Sequence, residues 1–174
     1  MTAAAGEGRE IERKFLVPEP PPELRRWPST RIEQGYLAVG ADGTEVRVRR
    51  RDGKATLTVK GGRGRSRAEE EIDIDVERFE RLWPLTDGRR LEKARYVIPG
   101  AGGLELEVDV YAGALAGLTV AEVEFAGEEE ASAFEPPDWF GREVTDDARF
   151  KNQRLACDGA PVDAGADRAQ TGND

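Results

Sequence analysis

From residue 11 onward the chain alternates apolar and polar side chains with a period of two, the mark of a strand with one buried face. The pattern predicts strands over Ile11–Val17, Arg31–Val39, Thr44–Arg50, Ala55–Lys60, Arg67–Val76, Leu91–Ile98, Leu104–Tyr111 and Thr119–Phe125. Turn chemistry separates several of them: Gly40-Ala41-Asp42-Gly43, Asp52-Gly53 and Pro99-Gly100-Ala101-Gly102-Gly103. The two-residue Asp-Gly between Arg51 and Lys54 is a strong hairpin signal. Eight strands with short connections imply an antiparallel sheet, closed or nearly closed, because closure removes exposed edges. Helical spacing is confined to Val76–Trp83, Glu128–Phe134 and a terminal segment, Asp146–Cys157. The Pro18–Pro22 run permits at most a short helix after it.

The polar positions are not mixed. On single strand faces stand Glu10, Glu12 and Lys14; Arg47 and Arg49; Thr58 and Lys60; Glu69 and Glu71; Lys93 and Arg95; Glu105, Glu107 and Asp109; Glu122 and Glu124. The opposite faces carry Val46, Val48, Leu57, Val59, Ile72, Ile74, Leu106, Val108, Val123 and Phe125. An ordinary solvated face would scatter Thr, Ser, Lys and Glu. Same-sign doublets fit that reading poorly, since like charges two residues apart repel across only about 7 Å. They are tolerable when neighbouring strands or a ligand supply the opposite sign. With the ionic face turned inward, bases would hold a polyanion and acids would hold hard divalent cations such as Mg²⁺ or Mn²⁺. The expected fold is therefore α+β and mainly β: an eight-stranded antiparallel closed tunnel with a charged lumen and a few outer helices, including a C-terminal one.

Charge and composition narrow the function. Of 174 residues, 35 are acidic and 26 basic, a formal net charge of −9, which argues against nucleic acid or an anionic membrane as a partner. Histidine is absent, which removes Ser-His-Asp and Cys-His nucleophiles. The single cysteine, Cys157, cannot form an internal disulfide, so a reducing cytoplasm is expected. It reads as a small buried hydrophobe, and Trp27, Trp83 and Trp139 as caps on the apolar face. Residues 1–8 read as a flexible start, 9–157 as one domain, and 158–174 as a disordered tail. Gly61-Gly62-Arg63-Gly64-Arg65 precedes no helix and reads as a basic connection, not a phosphate-cradling loop.

The opening EIERKFLV (Glu10–Val17) resembles the Glu-x-Glu-x-Lys signature of the CYTH family, the triphosphate tunnel metalloenzymes. Further pieces match in order: QGYL (Gln34–Leu37), Arg47-x-Arg49, Lys60, Glu69-x-Glu71, Lys93-x-Arg95, Glu107-x-Asp109, Glu122-x-Glu124 and TDDARFKN (Thr145–Asn152). The resemblance implies an eight-stranded tunnel and hydrolysis of inorganic triphosphate to pyrophosphate and phosphate. Alternatives within it are a thiamine triphosphatase or a class IV adenylate cyclase; a non-catalytic polyphosphate-binding module is the reading from another class.

By resemblance, Arg47, Arg49, Lys60, Lys93, Arg95 and Arg149 are substrate ligands, Arg149 standing where the family often has lysine. Several bases suit an anion of four to five charges, and Arg forks bind phosphate oxygens bidentately. Glu10, Glu12, Glu122 and Glu124 resemble the metal-binding acids, with Glu107 and Asp109 nearby. Glu69 and Glu71 either bind metal or orient bases. Lys14 and Tyr36 resemble a pair beside the attacked phosphate. Two divalent ions, Mg²⁺ or Mn²⁺, are implied. With no histidine, the base is a carboxylate, Lys14, Tyr36 or a hydroxide generated by the metal. The apolar outer strand faces are expected to support a homodimer.

Overall fold

A computed structural model describes residues 11–61 and 68–164. The expected metal ligand Glu10, residues 62–65 of the basic connection, all of residues 1–8, and residues 165–174 of the expected tail lie outside the described residues. Eight strands form one antiparallel sheet: β1 (Ile11–Leu16), β2 (Ser29–Val39), β3 (Glu45–Arg51), β4 (Lys54–Gly61), β5 (Ala68–Ile74), β6 (Arg90–Pro99), β7 (Glu105–Ala112) and β8 (Thr119–Phe125). Their order is β1-β8-β7-β6-β2-β3-β4-β5. The Asp-Gly signal is realised, since Asp52 and Gly53 both take positive φ (48° and 76°), as a type I′ hairpin requires.

The hydrogen-bonded sheet is not closed, contrary to the expected tunnel. β1 and β5 are its edges, with no ladder between them among the described residues. The physical reason lies on β1, whose outer edge is already occupied. Val144 N donates to Lys14 O (2.8 Å), Leu16 N to Arg142 O (2.9 Å) and Gly141 N to Leu16 O (2.7 Å). The Thr145 hydroxyl accepts from Lys14 N at 3.0 Å. The 141–145 segment thus satisfies the backbone groups that β5 would otherwise have paired.

One face of the sheet is apolar and covered. Around β7, β8 and β1, Leu106, Val123, Phe125 and Val108 pack under α2 (Glu128–Ala133) and the aromatic segment Phe134, Trp139 and Phe140. Around β3 and β4, Val48 and Ala55 pack under Phe79 of α1 (Val76–Leu82), on which Trp83 stacks at 5.1 Å between ring centroids. Trp83 and Trp139 therefore cap as expected, whereas Trp27 is 38% exposed. Gly35 lies on this side of β2, where a Cβ would come within 2.5 Å of the Thr86 side chain, so the 83–86 turn rests directly on its backbone.

The C-terminal helix corrects the sequence reading twice. It begins late, as α3 (Asn152–Asp158): Asp147 caps a 3₁₀ turn over Ala148–Phe150, and Lys151 is extended (ψ 138°), which breaks the helix. It is also not an outer helix. At one end of the inward face the alternation continues with Leu16, Tyr36, Leu91, Tyr111 and Val120, and Leu155 and Ala156 bury against them. Cys157 is turned to the exposed side, not buried. Ala164 packs on this same cluster. No helix among the described residues is long and apolar enough to cross a membrane.

Candidate active site

The strand register joins the charged doublets into one surface. Lys14 lies opposite Glu122, and Glu122 opposite Glu107; Asp109 lies opposite Arg95 and Tyr111 opposite Lys93. Tyr36 faces Arg47, which faces Thr58, which faces Glu71. Because partners on adjacent strands share a face, every doublet lands on the side away from the α1 and α2 cores. This side encloses a cavity of about 360 Å³, at the small end of the range for ligand pockets. Its wall holds eight cations (Lys14, Arg47, Arg49, Arg51, Lys60, Lys93, Arg95, Lys151) and three carboxylates (Glu12, Glu45, Glu122). In a chain of net charge −9, such a concentration marks an anion site.

Behind this wall lies a buried charge cluster. Asp109 is fully buried; Arg95 donates to it through Nε and Nη2, both at 2.7 Å, and Lys93 Nζ bonds to its Oδ2. Arg95 also bridges Glu107 and Glu122, the latter at 3.0 Å, and Glu122 pairs with Lys14 Nζ at 2.8 Å. Burial alone would raise the Asp109 and Glu122 carboxyls, but Lys93 and Arg95 outweigh it at Asp109, and Lys14 and Lys93 at Glu122, holding both below the ordinary range. Burial pushes Lys93 down despite Asp109, and pushes Arg49 down with help from Arg47.

At the other end of the sheet, Glu71 accepts from Arg49 Nη2 and from the Thr58 hydroxyl, both at 3.1 Å. Glu69 pairs with Lys60 Nζ at 2.8 Å and Arg47 at 3.8 Å. These contacts match the orienting role for Glu69 and Glu71. Arg47 Nε is buried without a hydrogen-bond partner among the described residues, a donor left for an acceptor from outside the chain. Tyr36 lines the cavity, its hydroxyl accepting from Gln34 Nε2 at 2.8 Å. Burial raises its phenol to about 12, so it is protonated near neutral pH.

Two expected placements differ. Arg149 does not reach the cavity: Asp147 and Asp163 hold it at 2.7 and 3.0 Å, and its side chain is 55% exposed. Lys151, two residues on and within the same TDDARFKN stretch, lines the cavity instead. Asp109 and Glu107 are committed to Arg95 and Lys93, and neither lines the cavity. Gln34, Glu45, Arg51, Asn152 and Gln153 also line it; the alternation put Gln34 on the Tyr36 face, but only packing of α3 reveals Asn152 and Gln153.

Among the described residues, no three His, Cys, Asp or Glu side chains converge as a ready metal centre. The remaining acids nevertheless suit a hard cation. Glu12 lies directly opposite Glu124 on the face of Lys14 and Glu122, and Glu12 lines the cavity. Like charges directly opposite on neighbouring strands repel. Mg²⁺ is commonly held by one or two carboxylates and completed by phosphate oxygens.

A CYTH domain model matches residues 8–152. The chain is 50% identical over 148 residues to an inorganic triphosphatase of Nitrosomonas europaea, covering 84% of this chain and 96% of that one. It is 41% identical over 151 residues to an inorganic triphosphatase of Acetivibrio thermocellus, covering 85% and 93%. The crystal structure of the inorganic triphosphatase NE1496 superimposes with a TM-score of 0.73 at 45% identity, over 86% of this chain and 95% of that one. With an antiparallel eight-stranded sheet, its charged doublets on one face and this match along most of its length, the chain belongs to the CYTH domain family.

Proposed function

We propose that this protein hydrolyses inorganic triphosphate to pyrophosphate and phosphate in a divalent-metal-dependent reaction. The observation that carries the reading is the cavity's eight cations against three carboxylates in an acidic chain. Two relatives that are inorganic triphosphatases, at 50% and 41% identity, support it. Residues of β1 (Glu12, Lys14) and of β4 (Lys60) line the same cavity, so the sheet curls far enough for its two ends to flank one ligand. In this reading the substrate sits in the trough of that curled sheet.

The chain's residues have distinct tasks. Arg47, Arg49, Lys60, Lys93 and Arg95 bind phosphate oxygens, with Lys151 in the place expected for Arg149; the orphaned Arg47 Nε donates to one of them. Tyr36 donates its hydroxyl proton towards the phosphate chain, while Lys14, paired with Glu122, stands beside the reacting phosphorus. Glu12 and Glu124, with Glu10, would hold the divalent ion, Mg²⁺ or Mn²⁺. When bound, such an ion supplies neutralisation of developing charge and acidification of the attacking water.

Specificity follows from charge. Among the described residues, no aromatic side chain other than Tyr36 lines the cavity, and a bare triphosphate brings more negative charge than a nucleoside triphosphate. Phosphate release from inorganic triphosphate, thiamine triphosphate and ATP, with and without Mg²⁺ or Mn²⁺, tests the reading. The expected result is a kcat/KM for inorganic triphosphate at least ~100-fold above that for ATP, about 2.7 kcal/mol of differential transition-state binding, abolished reversibly by chelation. A better turnover of ATP, or cyclic AMP with pyrophosphate as products, would replace it with a cyclase; tight binding without turnover would leave a polyphosphate-binding module.

A further inference from the structure

Tyr111 belongs to no part of the chemistry described above, yet it touches two of the elements that form the cavity. It is only 4% exposed, on β7, directly opposite Lys93 of β6. The Lys93 ammonium stands over its ring, 5.4 Å from the centroid. Its hydroxyl donates to Asn152 Oδ1 at 2.7 Å. Asn152 is the first residue of α3 and directly follows Lys151.

We infer that Tyr111 is a positioning residue: its ring seats the Lys93 ammonium and its hydroxyl anchors Asn152, so one buried side chain holds a sheet cation and the α3 cation Lys151 around the same cavity. The inference rests on the anion-site reading above and adds how the second wall is held. α3 needs such an anchor. It has seven residues and no side-chain hydrogen bond at its N-cap. A helix that short is marginal on its own, so its place is set by tertiary contacts. Leu155 and Ala156 bury its far half in the core, but Lys151, Asn152 and Gln153 border the open cavity. Among the described residues, the side-chain hydrogen bond that holds this near half is Tyr111–Asn152. An aromatic ring also suits Lys93: cation–π attraction stabilises a desolvated ammonium without adding a carboxylate that would repel phosphate.

Calorimetric titration of the full chain with triphosphate, without metal so that no turnover occurs, tests the proposal. Tyr111→Phe keeps the ring and removes the hydroxyl, a bond worth about 1 kcal/mol. Affinity should fall about fivefold, and in metal-supplemented assays KM should rise in step while kcat stays within about twofold. Asn152→Ala should reproduce the effect from the other partner, and keeps the test open should Tyr111→Phe fold poorly. In a Lys151→Ala background the Tyr111→Phe substitution should cost nothing more, because the group it positions is gone. Tyr111→Leu, which also removes the ring, should weaken binding further in either background. Equal losses in both backgrounds, or unchanged affinity in Tyr111→Phe and Asn152→Ala, would overturn Tyr111's role while leaving the anion site intact. A wild-type protein that binds no triphosphate would overturn both.

Discussion

Asp109→Asn separates the two roles open to that carboxylate, metal ligand and counter-ion. The side chain has no exposed surface and holds Lys93 and Arg95 at once. Breaking a buried ion pair by removing one partner costs about 3–5 kcal/mol, because the remaining charge stays desolvated. Asparagine can still accept a hydrogen bond, so the lower end, about 3 kcal/mol, is the better estimate. In a domain of this size each kcal/mol moves Tm by about 2–4 °C, so the metal-free, ligand-free variant should melt roughly 6–12 °C below wild type. Triphosphate should then restore part of the loss. With Asp109 neutralised, the two cations are freer to bind phosphate, so the variant should bind triphosphate more tightly than wild type and gain more from it by mass action. Scanning calorimetry with and without saturating triphosphate should show the gap narrowing, by about 1.4 kcal/mol for each tenfold difference in Kd. A metal-free Tm within 2 °C of wild type, together with a raised Mg²⁺ requirement for turnover, would refute the counter-ion argument and return Asp109 to the metal.

Two further outcomes follow from the same electrostatics. Asp109 is held below its ordinary value of 3.8, so its contribution is complete above that value and is lost as pH falls through the lower, folded one. The gap in urea midpoint between wild type and Asp109→Asn should therefore be constant above about pH 5 and shrink below about pH 4; a gap independent of pH would contradict the assignment. Arg49→Ala should weaken triphosphate binding yet raise the ligand-free Tm by a few degrees, since burial and Arg47 both disfavour the Arg49 charge; a lowered Tm would show that its pairing with Glu71 outweighs that repulsion.

Much of the fold can be read from the pattern because strands declare themselves through side-chain alternation alone. All eight occur in the structure with described ends within two residues of those expected. The C-terminal helix was harder. Asp146 and Asp147 form a genuine N-terminal signal, but Asp147 spends it on a 3₁₀ turn, accepting from Arg149 N at 3.1 Å, and the helix starts only after Lys151. That short offset puts Lys151, not Arg149, on the cavity wall. Closure failed for a different reason: the 141–145 segment that occupies the β1 edge carries no strand-length alternation to announce it.

Same-sign doublets located the ionic face, but not the division of labour among its acids, and the reason is topological. A Glu-x-Asp doublet on β7 looks the same in sequence as a Glu-x-Glu doublet on β8. What distinguishes them is the neighbour that the strand order supplies. β7 lies between β6 and β8, so Asp109 meets Arg95 directly across the ladder and Glu107 is bridged to Glu122 through the same guanidinium. β8 lies beside β1, whose Glu12 faces Glu124 and whose Lys14 faces Glu122, so that junction sets acid opposite acid at one step and base opposite acid at the next. Asp109 opposite Arg95 is thereby a counter-ion, while Glu122 faces both the base Lys14 and the acid Glu107. The strand order, which sets the acidic doublets of β8 and β7 next to the basic doublet of β6, is what pairs charge with charge across this face.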